Sequence, residues 1–178
     1  MTPKIGTAVC GTACTVVCWV CLEVNYLGYS FYVMKGKCQL TVHPKSKAKM
    51  KSKLKELTSR SNGWGYAKRK QKLKEYIRGW VGFYHLANMK RLLLVTDEWL
   101  RRRIRMCIWK AWKKAKTKVA NLIICGINKY QAYEWGNTRK GYWRIADSPI
   151  LKRAIDNNKL RSAGYVTLME VYLEWPPK

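Results

Sequence analysis

Three successive stretches between residues 45 and 116 place apolar residues three and four apart on one side and Lys or Arg on the other. That pattern admits little besides a bundle of amphipathic helices with a cationic exterior. In the first stretch, KSKAKMKSKLKELT (45–58), Met50, Leu54 and Leu57 share a face and Ser46 is the expected N-cap. Ser59 to Gly65 reads as the loop that follows. A second helix is expected from Tyr66 to about Leu86, with Leu73, Ile77, Trp80, Val81 and Tyr84 inward and Lys68, Arg69, Lys70, Lys72 and Lys74 crowding its first half. Gly79 and Gly82 weaken it by up to about 1 kcal/mol each relative to alanine, and make room for a close neighbour. The third and longest helix is expected over Asn88 to Lys116, with Leu93, Leu100, Ile104, Cys107, Ala111 and Ala115 on the core stripe. Arg101, Arg102, Arg105, Lys113 and Lys116 fall on the opposite arc, and Trp109 and Trp112 fall among them. Two fates are open to these indoles: stacking on unpaired bases while the cations hold phosphates, or packing on a further helix.

Composition identifies the kind of partner such an exterior needs. The chain has 178 residues, 36 Lys plus Arg against 10 Asp plus Glu, and a formal net charge of +26. Its length suits one domain or two small ones. With 48% apolar residues, nine Trp and eleven Tyr it can build a core, so the charge is not that of a disordered tail. Charge spread over the whole chain points to nucleic acid, whose condensed counterions are released on binding; an anionic membrane surface is the weaker rival. A small acidic substrate would not require it. Cys10, Cys14, Cys18 and Cys21 crowd near the start, with Cys38, Cys107 and Cys125 scattered. Such an odd, uneven set is no disulfide framework and suggests a reducing, cytoplasmic setting in association with nucleic acid.

Residues 1–25 form an atypical Cys-rich segment, with IGTAVCGTACTVVCWVCL an uncharged run of eighteen residues. Three readings compete for it. A membrane anchor or signal over residues 5–22 fits the order of a basic residue and an apolar run, but Thr, Gly and Cys are abundant and no small-residue cleavage site is evident. Cys14, Cys18 and Cys21 have the C-x3-C-x2-C spacing of some iron–sulfur sites, without the glycine-rich cofactor site that would support it. The preferred reading is a buried β-prone segment, or a non-native start to a truncated reading frame. From Tyr26 to His43 alternation at Tyr29, Phe31 and Val33, then at Leu40 and Val42, predicts a β-hairpin turning at Lys35-Gly36. Two strands alone are marginal and must pack on something else. His43 and His85 are the only histidines, and neither has a companion ligand in sequence, so no catalytic or zinc-binding role is expected for them.

Beyond Lys116, Gly126, Gly136, Gly141, Pro149 and Gly164 interrupt the pattern, and short helices are expected near 117–125, 128–137, 148–156 and 167–173. Ser148-Pro149 reads as an N-cap followed by proline at the first helical position. The densest cationic and aromatic cluster is NTRKGYWR (Asn137 to Arg144). The expected fold is therefore mainly α: a short N-terminal β-hairpin, a three-helix basic bundle and a small module of short helices.

The runs LGYSFY, VHPKSKAKMKSKLKELTSRSNGWG, YIRGWVGFYHLANMKRLLLVTDEWLRRRIRMCIWKAWKK and YEWGNTRKGYWRIADSPIL resemble the C-terminal half of bacterial group II intron reverse transcriptase/maturases. The resemblance extends from about Tyr26 to Leu173. It implies that 26–44 is the remnant of the reverse-transcriptase palm, 45–116 the maturase-specific X or thumb domain, and 117–178 a D-like DNA-binding module. Group II intron RNA is then the implied partner, folded and spliced with the protein's help, and target DNA a further one during intron mobility. For RNA the implied contacts are Lys45, Lys47, Lys51, Lys53, Arg60, Lys68, Arg69, Arg78, Arg101, Arg102, Arg105, Trp109, Trp112 and Lys113; for DNA, Arg139, Lys140, Tyr142, Trp143 and Arg144.

Departures from the family pattern matter as much. Its polymerase needs carboxylates that hold two magnesium ions. Here the aspartates are Asp97, Asp147 and Asp156, no Tyr-x-Asp-Asp motif occurs, and Asp97 and Glu98 diverge on a helix. No His-Asn-His nuclease module follows Leu173. The expectation is a remnant that keeps the binding half, is no enzyme and holds no cofactor; magnesium belongs to the intact family's polymerase and to the intron RNA. Two alternatives stand beside it: part of an RNA-directed DNA polymerase whose catalytic portion is separate, and a basic protein attached to membrane through residues 5–22.

Overall fold

The computed structural model of the chain describes residues 26–34 and 37–175. The expected anchor, the cysteine motif and the Lys35-Gly36 turn lie outside the described residues. Strands β1 (Tyr29–Met34) and β2 (Lys37–Val42) pair antiparallel, with Tyr29 opposite Val42 and Phe31 opposite Leu40. The hairpin packs on a helix. Val42 is fully buried, and the Tyr29 ring lies 5.2 Å from Tyr84 and 6.0 Å from Phe83 near the end of the second helix. Tyr29 Oη donates to the Phe83 carbonyl, and Asn88 N–H donates to Leu40 O at 2.9 Å.

Helices α1 (Pro44–Leu57), α2 (Tyr66–Tyr84) and α3 (Lys90–Ala111) are the three that the periodicity predicts. Met50, Leu54 and Leu57, then Leu73, Ile77 and Val81, then Leu93, Leu100, Ile104 and Cys107 all turn inward. Two boundaries differ. His43, rather than Ser46, caps α1: its Nδ1 accepts from Lys45 N–H at 3.1 Å, because Pro44 has no N–H to satisfy and its fixed φ starts the helix there. The third helix ends at Ala111, short of Lys116, as Trp112 leaves it to pack on Trp109 at 5.7 Å between ring centres. Ala111 and Ala115 are consequently exposed, and the core stripe stops at Cys107.

Short helices follow: α4 (Ala115–Ile124), α5 (Lys129–Gly136), α6 (Tyr142–Ile145), α7 (Pro149–Ala154), α8 (Asn157–Ser162) and α9 (Leu168–Glu174). Each is too short to persist alone, so local caps and tertiary contacts hold it. Asn128 caps α5 through Tyr130 N–H at 3.2 Å, and Asp156 caps α8 through Lys159 N–H at 2.7 Å. As expected, Ser148 caps α7, accepting from Leu151 N–H at 3.3 Å, with Pro149 in the first turn. Thr167 and Glu170 form a capping box on α9. The α4–α5 pair closes against Gly136, where an added Cβ would stand 2.4 Å from Val119 Cγ2.

The last helix returns to the first bundle. Leu168 and Val171 of α9 are buried, and the helix packs against α2 and α3. Asp97 of α3 closes the junction, its carboxylate accepting from Leu168 N–H at 2.8 Å and Met169 N–H at 2.9 Å. Gly82, one of the two glycines expected to admit a neighbour, has Trp175 across it, 3.1 Å from where a Cβ would lie; nothing approaches Gly79. One apolar cluster thereby runs from Val42 of the hairpin to Val171 of α9. Among the described residues no helix is long and apolar enough to cross a membrane.

Candidate nucleic-acid interface

Charge imbalance decides which cations face outward. Among the described residues, acidic partners engage Lys53 (Glu56), Lys72 (Glu75), Arg102 and Lys152 (both Asp147), and Arg161 (Glu170). These exposed ion pairs contribute little to stability; Lys70, Lys110 and Lys159 instead donate to the carbonyls of Ala163, Arg60 and Ala154, while exposed cations such as Lys45 and Arg78, without an acidic partner among the described residues, are open to solvent or a polyanion. Of the positions expected to bind RNA, Lys45, Lys51, Lys53, Arg60, Lys68, Arg78 and Lys113 are exposed, and Lys47, Arg101, Arg102 and Trp112 are half-buried. All five expected DNA contacts, Arg139, Lys140, Tyr142, Trp143 and Arg144, are exposed.

Three of the expected contacts, Arg69, Arg105 and Trp109, are buried. Arg105 Nε donates to Ile155 O at 2.8 Å and its Nη2 to Asn157 Oδ1 at 3.0 Å, tying α3 to the α7–α8 corner. Burial pushes its pKa down from the ordinary guanidinium value. Arg69 donates to Asn62 Oδ1 at 3.2 Å, bracing the loop before its own helix. Trp109 takes the packing fate left open by its sequence, with Lys118 Nζ 5.0 Å from its ring. A helical projection of α3 places Arg105 and Trp109 on the cationic arc, but the α7–α8 corner meets that arc at Arg105, and Lys118 of α4 lies over Trp109.

Residues separated in sequence meet where α6 crosses α3. The Arg102 guanidinium lies 4.0 Å over the Trp143 ring and donates to the Trp143 carbonyl at 3.0 Å, while Asp147 holds it from the side at 3.3 Å. Arg60, from the loop after α1, lies 5.2 Å from the Tyr142 ring. The two expected contact sets, one for RNA and one for DNA, therefore adjoin on a single face. Half-buried rings recur beside cations elsewhere: Lys68 lies 5.5 Å from Trp64 and Lys140 4.9 Å from Trp135.

Trp99 and Arg103 escaped the sequence reading. Trp99 is half-buried with Lys51 Nζ 5.4 Å and the Arg103 guanidinium 5.2 Å from its ring. Arg103 is fixed by donation to Thr58 Oγ1 at 2.6 Å, Lys55 O at 3.0 Å and Thr58 O at 3.2 Å, and burial lowers its pKa. The signal was present in the sequence, since Trp99 lies four residues before Arg103 and on the same helical face.

Among the described residues no carboxylate cluster suits a pair of magnesium ions. Asp97 is spent on the α9 N-terminus, and its burial, partly offset by those two N–H groups, raises its pKa. Asp147 pairs with Lys152 at 2.7 Å and with Arg102, and the Lys152 hydrogen bond lowers its pKa; Asp156 caps α8. Among the described residues no three of His, Cys, Asp or Glu gather as metal ligands would. His43 caps α1, and His85 Nδ1 lies 2.6 Å from Gly82 O with its ring stacked on Trp175.

A strongly basic, mainly helical bundle with indoles and phenols set among guanidinium groups is the class that fold and surface define. Residues 47–123 match the family of the group II intron, maturase-specific domain. That span runs from the first turn of α1 nearly to the end of α4. Over that span the chain is similar to the maturase-specific domain of group II introns. No curated protein matches the sequence.

Proposed function

We propose that the chain binds group II intron RNA through the face built by α1, α3 and α6 and assists the folding and splicing of that RNA without polymerase chemistry of its own. The observation that carries this reading is the meeting of Arg102 with Trp143 and of Arg60 with Tyr142, beside a segment that matches the maturase-specific domain. Phosphates are held by exposed Lys and Arg, while aromatic rings select places where RNA is unpaired. Fixed rings and forks bind the folded intron more tightly than its misfolded states, and that difference in affinity shifts the population toward the folded form. The bonds are made by the RNA. Arg139, Lys140 and Arg144, all exposed and close to Trp143 in sequence, are the contacts for target DNA during intron insertion.

Splicing of a group II intron transcript tests this at a magnesium concentration too low for efficient self-splicing. Added protein is expected to raise the spliced fraction, and the triple variant K51E/K55E/R60E, at exposed positions of that face, is expected to abolish the gain. If splicing is unchanged by the parent chain, the maturase reading fails.

A further inference from the structure

An open groove of about 490 Å³ runs between α1 and α3 and is closed at one end by α6; Lys51, Ser52, Lys55, Trp99, Arg103 and Trp143 line it. That volume lies within the roughly 300–1,000 Å³ of sites that take small organic groups. It has two aromatic walls. Each is backed by a guanidinium that cannot swing away, because Arg103 is pinned by the α1 C-terminus and Arg102 by the Trp143 carbonyl and Asp147. A cation fixed 4.0 Å over one face of Trp143 leaves the other face to a second planar partner, and Trp143 is 38% exposed. Over the groove stand Lys51 and Lys55, both exposed and, among the described residues, without an acidic partner. Planar apolar walls and unpaired ammonium groups at the rim are complementary to one nucleotide: a base inside and its phosphates outside.

We infer that this groove captures a single unpaired nucleotide of the bound RNA, stacking its base on Trp143 or Trp99 and holding its flanking phosphates with Lys51 and Lys55. The inference rests on the RNA-binding reading above and names the feature of the RNA that is read. Duplex RNA cannot enter, since its bases are stacked and its deep groove excludes side chains. The RNA's unpaired bulges and loops are thereby distinguished from its helices.

The test uses the full chain and an RNA hairpin carrying one bulged 2-aminopurine, beside a fully paired hairpin and a DNA hairpin with the same bulge. Stacking is expected to quench the 2-aminopurine fluorescence and to favour the bulged RNA over the paired one by about five- to a hundred-fold. Trp143→Ala is expected to lose most of that preference and Trp143→Phe to keep it. Lys51→Gln is expected to reduce the salt slope by about one for the bulged RNA. Quenching in the parent chain reads the groove without any variant that must fold. Unquenched fluorescence, or equal affinity for bulged and paired RNA, overturns the groove while leaving the maturase reading to its splicing test; equal binding of the DNA bulge overturns its assignment to RNA. Failure to bind either RNA hairpin overturns both readings together.

Discussion

Asp97 and Arg105 occupy one helix and bear opposite charges, yet both serve the same structural end, which is to attach the short C-terminal helices to α3. Asp97 satisfies two N–H groups at the start of α9, which otherwise have no intrahelical partner. Asp97→Ala should cost about 2–4 kcal/mol of unfolding free energy, read from a urea titration; a loss under about 0.5 kcal/mol would show that the junction does not depend on it. Arg105 and Arg101 provide a contrast. Arg105→Ala strands Ile155 O and should destabilise the fold by about 1–3 kcal/mol, whereas Arg101→Ala should leave stability within about 0.5 kcal/mol and weaken RNA binding. The reverse pattern would place the RNA face on the wrong side of α3. At this scale a sequence reading does not separate exposed cations from buried ones. Arg105 and Trp109 look like neighbours of Arg101 on the wheel of α3, and Arg69 like one more of the basic run on α2, because a wheel does not contain the segments that cover them.

Helices α1, α2 and α3 were legible because each buries one long stripe against the others, which is what a 3.6-residue period encodes. Ends were less so. The proline at position 44 fixed the start of α1 earlier than a search for Ser or Thr suggests, and the exit of Trp112 from α3 depends on a tertiary contact with Trp109. Short helices α4 to α9 were legible as a class through their glycines and caps, while α6 and α8 are too brief to carry a period at all. Packing between α4 and α5 hinges on Gly136. Gly136→Ala puts a methyl group against the stiff, β-branched Val119 and should lower thermal stability by about 1–3 kcal/mol despite the better helix propensity of alanine. Stability equal to or above that of the parent would mean the pair has slack that its geometry does not suggest.

At the scale of the whole molecule, one apolar cluster joins hairpin, bundle and short helices, drawing residues from both 45–116 and 117–178. The same closure sets the surface. By bringing α6 over α3 it merges two sets of cations and rings that lie some forty residues apart into one face. The face itself was not legible in the sequence, although most of its members were. Trp99 and Arg103 join it only because α1 supplies Lys51, Lys55 and Thr58 from across the bundle. A polycation of net charge +26 binds any RNA at low salt, so affinity at low salt says nothing about the face. What separates a shaped surface from a charge is the part of binding that survives when counterion release is weakened. The most direct measurement is therefore the affinity of the purified chain for a group II intron RNA and for an unrelated structured RNA of equal length across a salt series. A preference for the intron that persists or grows as salt rises is the predicted result. Equal affinities with the same steep salt slope would contradict it and reduce the protein to its charge.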